Sequence, residues 1–196
     1  MKMTLLLCLF LSLLVSSAAA RSGPSAGDSN PFLSEFPSGG ELRMSLCSSG
    51  VVVRGSEDSQ VRVSYSGRND ASDVRVKFKA DGNKGTLQIT SCPRNNFQIT
   101  IDVPKLTHLH VRMFAGELDV QNVAGNKDLE IDAGQLTVDV GNAEDYAQVD
   151  GSVTTGEVDA APFHVSKGGL FRSFHQAGPG KYRLHAHVGA GQVDLN

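Results

Sequence analysis

Alternation of apolar and polar residues is the dominant pattern of this sequence. Leu42, Met44 and Leu46 are each separated by one polar residue, and the same alternation returns at 61–65 and 97–103. A period of two residues places successive side chains on opposite faces of a β-strand, whereas a helix would show a period near 3.6. No helical stripe interrupts the pattern beyond residue 41. The sequence therefore predicts an all-β protein whose strands have one apolar and one polar face.

Four short phrases repeat in the second half of the chain. They lie at 115–120, 133–138, 155–160 and 190–195, and each consists of a small residue, a glycine and then strict alternation. Such repeats are typical of stacked β units that bury their apolar faces only against neighbouring units. We therefore expect a β-solenoid-like stack of short strands with glycine-centred turns. A β-sandwich is the alternative architecture.

The ends of the sequence predict a processed, exported chain. Lys2 precedes an apolar run from Leu5 to Val15, and small residues follow at 18–20. This run is too short to span a bilayer, so we interpret residues 1–20 as a signal peptide. Residues 21–40 are rich in glycine, proline and serine and are interpreted as a flexible lead-in. Residues 41–196 form the single predicted domain, which has no membrane span and lies outside the cytoplasm.

Charge is distributed unevenly and argues against nucleic-acid binding. Residues 113–196 contain 5 lysines and arginines but 12 aspartates and glutamates. A nucleic-acid surface needs a basic patch, which this half of the chain lacks. The sequence also contains no tryptophan.

Two cysteines follow the predicted signal peptide. Cys47 ends the first predicted strand of the domain, and Cys92 follows the run at 87–90. In an oxidising compartment such a pair is often bridged, and neighbouring strands can bring these two residues together. We regard Cys47–Cys92 as a possible disulfide, with two separate buried thiols as the alternative.

A family resemblance is carried by particular phrases of the sequence. Val103-Pro104-Lys105, the strand at 109–111 and the corners Gly-Glu-Leu-Asp-Val and Gly-Gln-Leu-Thr-Val resemble a bacterial family of β-strand-repeat domains of unknown function, labelled putative adhesins. The resemblance covers about residues 41–196. It implies a solenoid-like fold in exported or envelope-associated proteins, and it supplies no catalytic residues.

The residues of types that bind metals or act in catalysis have simpler explanations in this sequence. His108 and His110, and likewise His185 and His187, project in pairs from one face of a predicted strand, but no third metal ligand is evident. Acidic residues on the polar side of the repeat strands are expected to be solvated, or paired with lysine and arginine, rather than to form a calcium ladder. No serine is visibly coupled to a base and an orienting acid. We therefore predict no catalytic, metal-binding or cofactor-binding residue and no cofactor.

The segment 162–180 departs from the repeat. It interleaves apolar and basic residues between glycines, a composition suited to a partner surface. The candidate contact residues are Leu170, Phe171, Arg172, Phe174 and His175. The alternative is that both phenylalanines cap one end of the apolar core, as the terminal units of repeat folds must.

These observations lead to one functional expectation and one rival. We expect a non-enzymatic exported bacterial protein that acts as an envelope or extracellular scaffold or adhesion-like binding module. Its partner would be an envelope or extracellular protein or a glycan. The rival is a polysaccharide-active enzyme built on a β-helix, because paired carboxylates for glycoside cleavage can be mounted on such a fold.

Overall fold

The computed structural model describes residues 25–27, 30–67, 73–93 and 96–196, so the predicted signal peptide lies outside the described residues. This part of the chain is nearly all β, which confirms the predicted class. Two short 3₁₀ turns, Ala143–Asp145 and Ala161–Phe163, interrupt it. The strands are β1 (Ser25–Gly27), β2 (Phe32–Glu35), β3 (Glu41–Leu46), β4 (Ser49–Ser56), β5 (Gln60–Gly67), β6 (Arg75–Asp81), β7 (Lys84–Thr90), β8 (Phe97–Pro104), β9 (His108–Gln121), β10 (Lys127–Val138), β11 (Tyr146–Ala160), β12 (Val165–Ala177) and β13 (Tyr182–Leu195).

The four repeated phrases lie in four long strands that pair side by side. Their order is β9-β10-β13-β11, every neighbouring pair is parallel, and their central glycines are in register. These glycines have φ values from +126° to +142°, where side-chain-bearing residues are strained. A Cβ atom at each would also overlap the backbone of the neighbouring strand. The bend therefore requires glycine at this position of all four repeats, which explains why glycine recurs in the sequence.

The glycine column divides the sheet into two arms. Before the bend, β9 pairs with β3, and after the bend it pairs with β4. Strands β7 and β8 continue the same two arms beyond β3 and β4. We call the part before the bend the first arm and the part after it the second arm. The segment 41–56 is therefore a further repeat, in which Ser49 occupies the glycine position opposite Gly116.

Antiparallel strands complete the two ends of the sheet. At one end, β6 and β1 extend the first arm, while β5 and β2 extend the second arm. At the other end, β12 runs antiparallel to β11 along both arms. The segment 162–180, which departs from the repeat, thus contains the terminal strand of the sheet.

The inward side chains of both arms form one apolar core. Phe78 on the first arm lies 6.1 Å, between ring centroids, from both Phe32 and Phe36. Phe32 and Phe36 are both buried, and they belong to the segment interpreted as a flexible lead-in. Part of that segment therefore contributes two strands, β1 and β2, and its large apolar side chains Phe32 and Phe36 join the core.

Candidate functional site

The predicted partner surface lies on the terminal strand β12. Eleven of its thirteen residues are exposed, whereas the other long strands alternate between buried and exposed positions. Within the described residues, β12 has one neighbour, β11, and its opposite edge is unpaired. The strand contains one lysine, one arginine and one histidine but no acidic residue. It therefore presents a basic edge at the end of an otherwise acidic half of the chain.

The two phenylalanines of β12 have different environments. Phe174 is 8% exposed and lies opposite Gly151, where a Cβ atom would overlap its ring. Phe171 is 78% exposed, and its neighbour Leu170 is 61% exposed. The two phenylalanines therefore differ in role. Phe174 packs on the core, as a cap would, whereas Leu170 and Phe171 are exposed to solvent, as residues of a partner surface would be.

Arg172 is held against its own strand close to the bend. Its Nε donates to the carbonyl oxygen of Gly168 at 2.9 Å, and Lys167 Nζ donates to the carbonyl oxygen of Ser173 at 3.2 Å. Phe171 has a positive φ of 52° and Gly169 a φ of 124°. These contacts fix the turn on which Leu170 and Phe171 are displayed.

A row of histidines and aspartates crosses the outer face of the first arm. His110 Nδ1 lies 3.2 Å from Asp128, and His185 Nδ1 lies 2.9 Å from the other oxygen of Asp128. Further along the row, His175 Nδ1 lies 2.6 Å from Asp150. The order His110, Asp128, His185, Asp150, His175 follows five neighbouring strands, so opposite charges can alternate across the sheet. We call this row the histidine ladder.

Arg112 neutralises the carboxylates in the centre of this face. Asp128, Glu130 and His185 place potential ligand atoms within 4.8 Å of one another, close enough for all three to contact one metal ion. However, the Arg112 guanidinium lies 3.0 Å from both Asp128 and Glu130, where a cation would bind. The face is therefore internally compensated, in the manner expected for acidic residues paired with basic ones.

The ladder lowers the pKa values of its carboxyl groups. Burial alone would raise the pKa of Asp128, but hydrogen bonds from His185, Arg112 and His110 outweigh it and lower the pKa to about 2. The pKa of Asp150 is also lowered, because hydrogen bonds from His175 and Gln148 outweigh the effect of burial. Both groups are charged at neutral pH.

One serine on this face contacts a histidine. Ser152 Oγ lies 2.9 Å from His187 Nδ1. Nucleophilic catalysis also needs a carboxylate that orients the imidazole, and the described residues show no hydrogen bond between His187 and a carboxylate. The pair lies on the outer face of a sheet and lacks the third group of a catalytic triad.

The outer face of the second arm is acidic. Asp159 lies directly opposite Asp194 on the neighbouring strand. Asp194 accepts hydrogen bonds from Gln192 and Gln135, both at 3.1 Å, and Asp119 accepts one from Gln121 at 2.6 Å. Glutamine amides therefore donate hydrogen bonds to two of these carboxylates, Asp119 and Asp194.

Sequence reasoning missed a buried lysine in the core. Lys127 is 2% exposed and occupies an inward position beside Leu109 and Leu184. Its Nζ donates to Tyr146 Oη at 2.6 Å, and burial lowers the pKa of Lys127 to about 8. Burial likewise raises the pKa of Tyr146 to about 12. The sequence signal was available, because a polar residue stands where the repeat pattern demands an apolar one.

The two cysteines meet at the bend between neighbouring repeats. Cys47 connects β3 to β4, Cys92 follows β7, and their Cα atoms are 6.0 Å apart in a disulfide arrangement. The bridge closes a sequence separation of 45 residues. In the chain-entropy description such a loop contributes about 4 kcal/mol to stability. The bridge remains a prediction, and a mass spectrum of the non-reduced protein with two alkylatable thiols would contradict it.

Comparisons with known proteins identify a fold neighbour. The chain is structurally similar to a putative cell adhesion protein from Clostridium sporogenes, with a TM-score of 0.52 and 14% sequence identity. The match covers 88% of this chain and 99% of that protein. No protein-family model matches the sequence, and no curated protein matches it significantly. At this identity the likeness concerns the fold.

The described residues contain no helix long and apolar enough to cross a membrane.

Proposed function

We propose that this chain is a non-enzymatic, exported bacterial protein that acts as an adhesion-like binding module or scaffold in the cell envelope or outside the cell. The observation that carries the proposal is the terminal strand β12, on which Leu170 and Phe171 are exposed beside basic residues. Large exposed apolar side chains next to arginine are typical of partner surfaces. The partner is an envelope or extracellular protein or a glycan.

Three further features support this proposal. The short apolar run from Leu5 to Val15, followed by small residues at 18–20, favours export. The structurally similar protein from Clostridium sporogenes is named as a putative cell adhesion protein, which fits a binding role. The in-register parallel strands of the four repeats favour a solenoid-like stack of the kind that presents extended surfaces.

The contact surface on β12 comprises Leu170, Phe171, Arg172 and His175, with Phe174 as its buried anchor. Phe174 fixes the strand on the core, and the Arg172 side chain fixes the turn. A pre-ordered surface loses less conformational entropy on binding than a mobile one. This part of the molecule is therefore suited to contact a partner without rearranging.

Binding of the purified, fluorescently labelled protein to sedimented cell envelopes tests the proposal. The double variant Leu170→Ser/Phe171→Ser should bind at least about tenfold more weakly, because two exposed apolar contacts are removed. The matched control is Leu33→Ser/Leu106→Ser, which changes two other exposed leucines and should bind like the unmodified protein. Equal binding by both double variants, or no binding by the unmodified protein, would refute the proposal.

A further inference from the structure

A shallow groove crosses the bend on the opposite side of the molecule from β12. It has a volume of about 850 Å³ and is formed where β9, β4, β8 and β5 begin, end or bend. Strands about 4.8 Å apart give a groove across four strands a length of about 14 Å. Its walls come from Ser48, Ser49, Gly50, Ser66, Gly67, Asn96, Phe97, Gln98, Ala115, Gly116 and Glu117. We call it the bend groove.

Unused hydrogen-bonding groups converge in the bend groove. The side chains of Ser48, Ser66, Asn96 and Gln98 form no hydrogen bond with other described residues, although each is exposed at the groove. Glu117 likewise has no ion pair or side-chain hydrogen bond within the described residues. The histidine ladder shows the opposite behaviour, since its polar groups satisfy one another. The bend groove therefore offers donors and acceptors to a ligand.

The backbone at the bend keeps this groove open. Gly116 has a φ of 126°, and a Cβ atom there would overlap Ser49. The Ser49 hydroxyl donates to the carbonyl oxygen of Phe97 at 2.8 Å, which fixes β4 against β8 across the floor. The groove is thus built on paired strands and can bind a ligand without first becoming ordered.

The chain carries an exposed aromatic residue next to one that lines the groove. Phe114 directly precedes Ala115, which lines the groove, and it is 71% exposed. Aromatic rings offer a large apolar face at a small conformational cost. Sugars present apolar C–H faces together with dense hydroxyl groups, so an aromatic ring next to hydroxyl and amide side chains matches their chemistry.

The charge of the lining restricts the ligand class. Hydroxyl and amide side chains dominate, and Glu117 is the one charged residue among the described residues that line the groove. An anionic ligand would need basic partners to compensate its charge, and the described lining supplies none. The groove is also open and elongated, which suits a segment of a polymer better than an enclosed small molecule.

We propose that the bend groove is a binding site for a neutral oligosaccharide. Ser66, Asn96 and Gln98 bind sugar hydroxyls, Glu117 accepts hydrogen bonds from them, and Phe114 packs on a sugar face. This site is independent of the β12 surface, so the molecule carries two binding surfaces at separate places in the fold.

Affinity electrophoresis of the purified protein through gels that contain dextran, mannan or laminarin tests this site, with heparin as the anionic comparison. At least one neutral polysaccharide should retard the protein, and heparin should not. Gln98→Ala should weaken binding about fivefold through a lost hydrogen bond. Phe114→Ala should weaken it about tenfold through lost apolar contact.

Each variant has a matched control. Gln88→Ala removes an exposed glutamine from the first arm, and Leu106→Ala removes an exposed apolar side chain that lies outside both proposed binding surfaces. Both should bind polysaccharide like the unmodified protein. The proposal is overturned if none of the three neutral polysaccharides retards the protein, if heparin alone does, or if Gln98→Ala and Phe114→Ala bind normally. Weaker retardation of Gln98→Ala and Phe114→Ala assigns polysaccharide binding to the bend groove, whereas the β12 surface is tested separately by the envelope binding of Leu170→Ser/Phe171→Ser.

Discussion

At the scale of single residues, the bend of this protein depends on glycine for two separate reasons. Gly134 has a φ of 138°, which residues with a side chain rarely adopt, and it also lies against the backbone of Gly116. The first reason concerns the local chain, and the second concerns the distance between neighbouring strands. The repeated glycine was recognisable in the sequence, but only the in-register pairing shows that both reasons apply.

Replacing Gly134 by alanine separates these two effects when it is compared with Gly82→Ala. Gly82 has a φ of 57° but no heavy atom within 4 Å of an added Cβ, so its replacement carries only the conformational cost of about 1 kcal/mol. Gly134→Ala also forces two strands apart and should lower the free energy of unfolding by about 3 kcal/mol. Urea denaturation of both variants measures the difference. Equal losses would mean that strand packing at the bend is looser than the structure indicates.

At the scale of secondary-structure elements, β12 ends the stack. On the inner side of the sheet, Lys167 and Arg172 of β12 lie opposite Val158 and Val153 of β11. The row of apolar side chains on the inner side therefore does not extend onto β12 at these two positions. Charged residues at inward positions of an edge strand discourage a further strand from pairing there. Phe174 is the exception, and it holds β12 by filling the space that Gly151 leaves.

Replacement of each phenylalanine of β12 by serine distinguishes its structural and surface roles. Phe174→Ser removes a buried ring and should lower the free energy of unfolding by about 3 kcal/mol. Phe171→Ser removes an exposed ring and should change stability by less than about 0.5 kcal/mol. Chemical denaturation measures both values, and hydrogen exchange shows whether β12 itself is released. A large loss for Phe171→Ser would place its ring in the core and contradict the structure.

At the scale of the whole molecule, the strand order differs from the chain order in a way that keeps two aspartates apart. His110, Asp128, Asp150 and His185 each lie six residues before the glycine of their repeat. Stacking in chain order would place Asp128 beside Asp150, with two like charges opposite each other. The observed order inserts β13 between β10 and β11, so that His185 separates the two aspartates. The hydrogen bond between His185 and Asp128, and the avoidance of like charges in a cross-strand pair, favour this arrangement.

The sequence predicted those features that repeat locally and missed those that depend on distant pairing. Alternation and the four glycines were sufficient for the all-β class, the inward positions and the corners. The repeat at 41–56 was missed because Ser49 replaces the expected glycine. The core role of Phe32 and Phe36 was missed because glycine and proline around them are typical of loops. The bend groove joins residues from four strands, and no local pattern brings these together.

The histidine ladder makes the stability of the whole sheet sensitive to acid. The pKa of Asp128 is about 2, below its ordinary value of 3.8, because it accepts hydrogen bonds from His185, Arg112 and His110. The unfolded chain binds more protons between these two values, so the contribution of Asp128 is complete above pH 3.8 and is lost as the pH falls towards 2. After allowance for its partial exposure, that contribution is about 1–2 kcal/mol.

Asp128→Asn should therefore be less stable at pH 7 and should lose less stability than the unmodified protein between pH 4 and pH 2. Asp132→Asn changes an exposed carboxylate of the same strand that has no ion pair within the described residues, and it should follow the unmodified protein. Thermal melting from pH 2 to pH 7 tests this, and parallel pH profiles for all three proteins would show that the ladder does not stabilise the sheet.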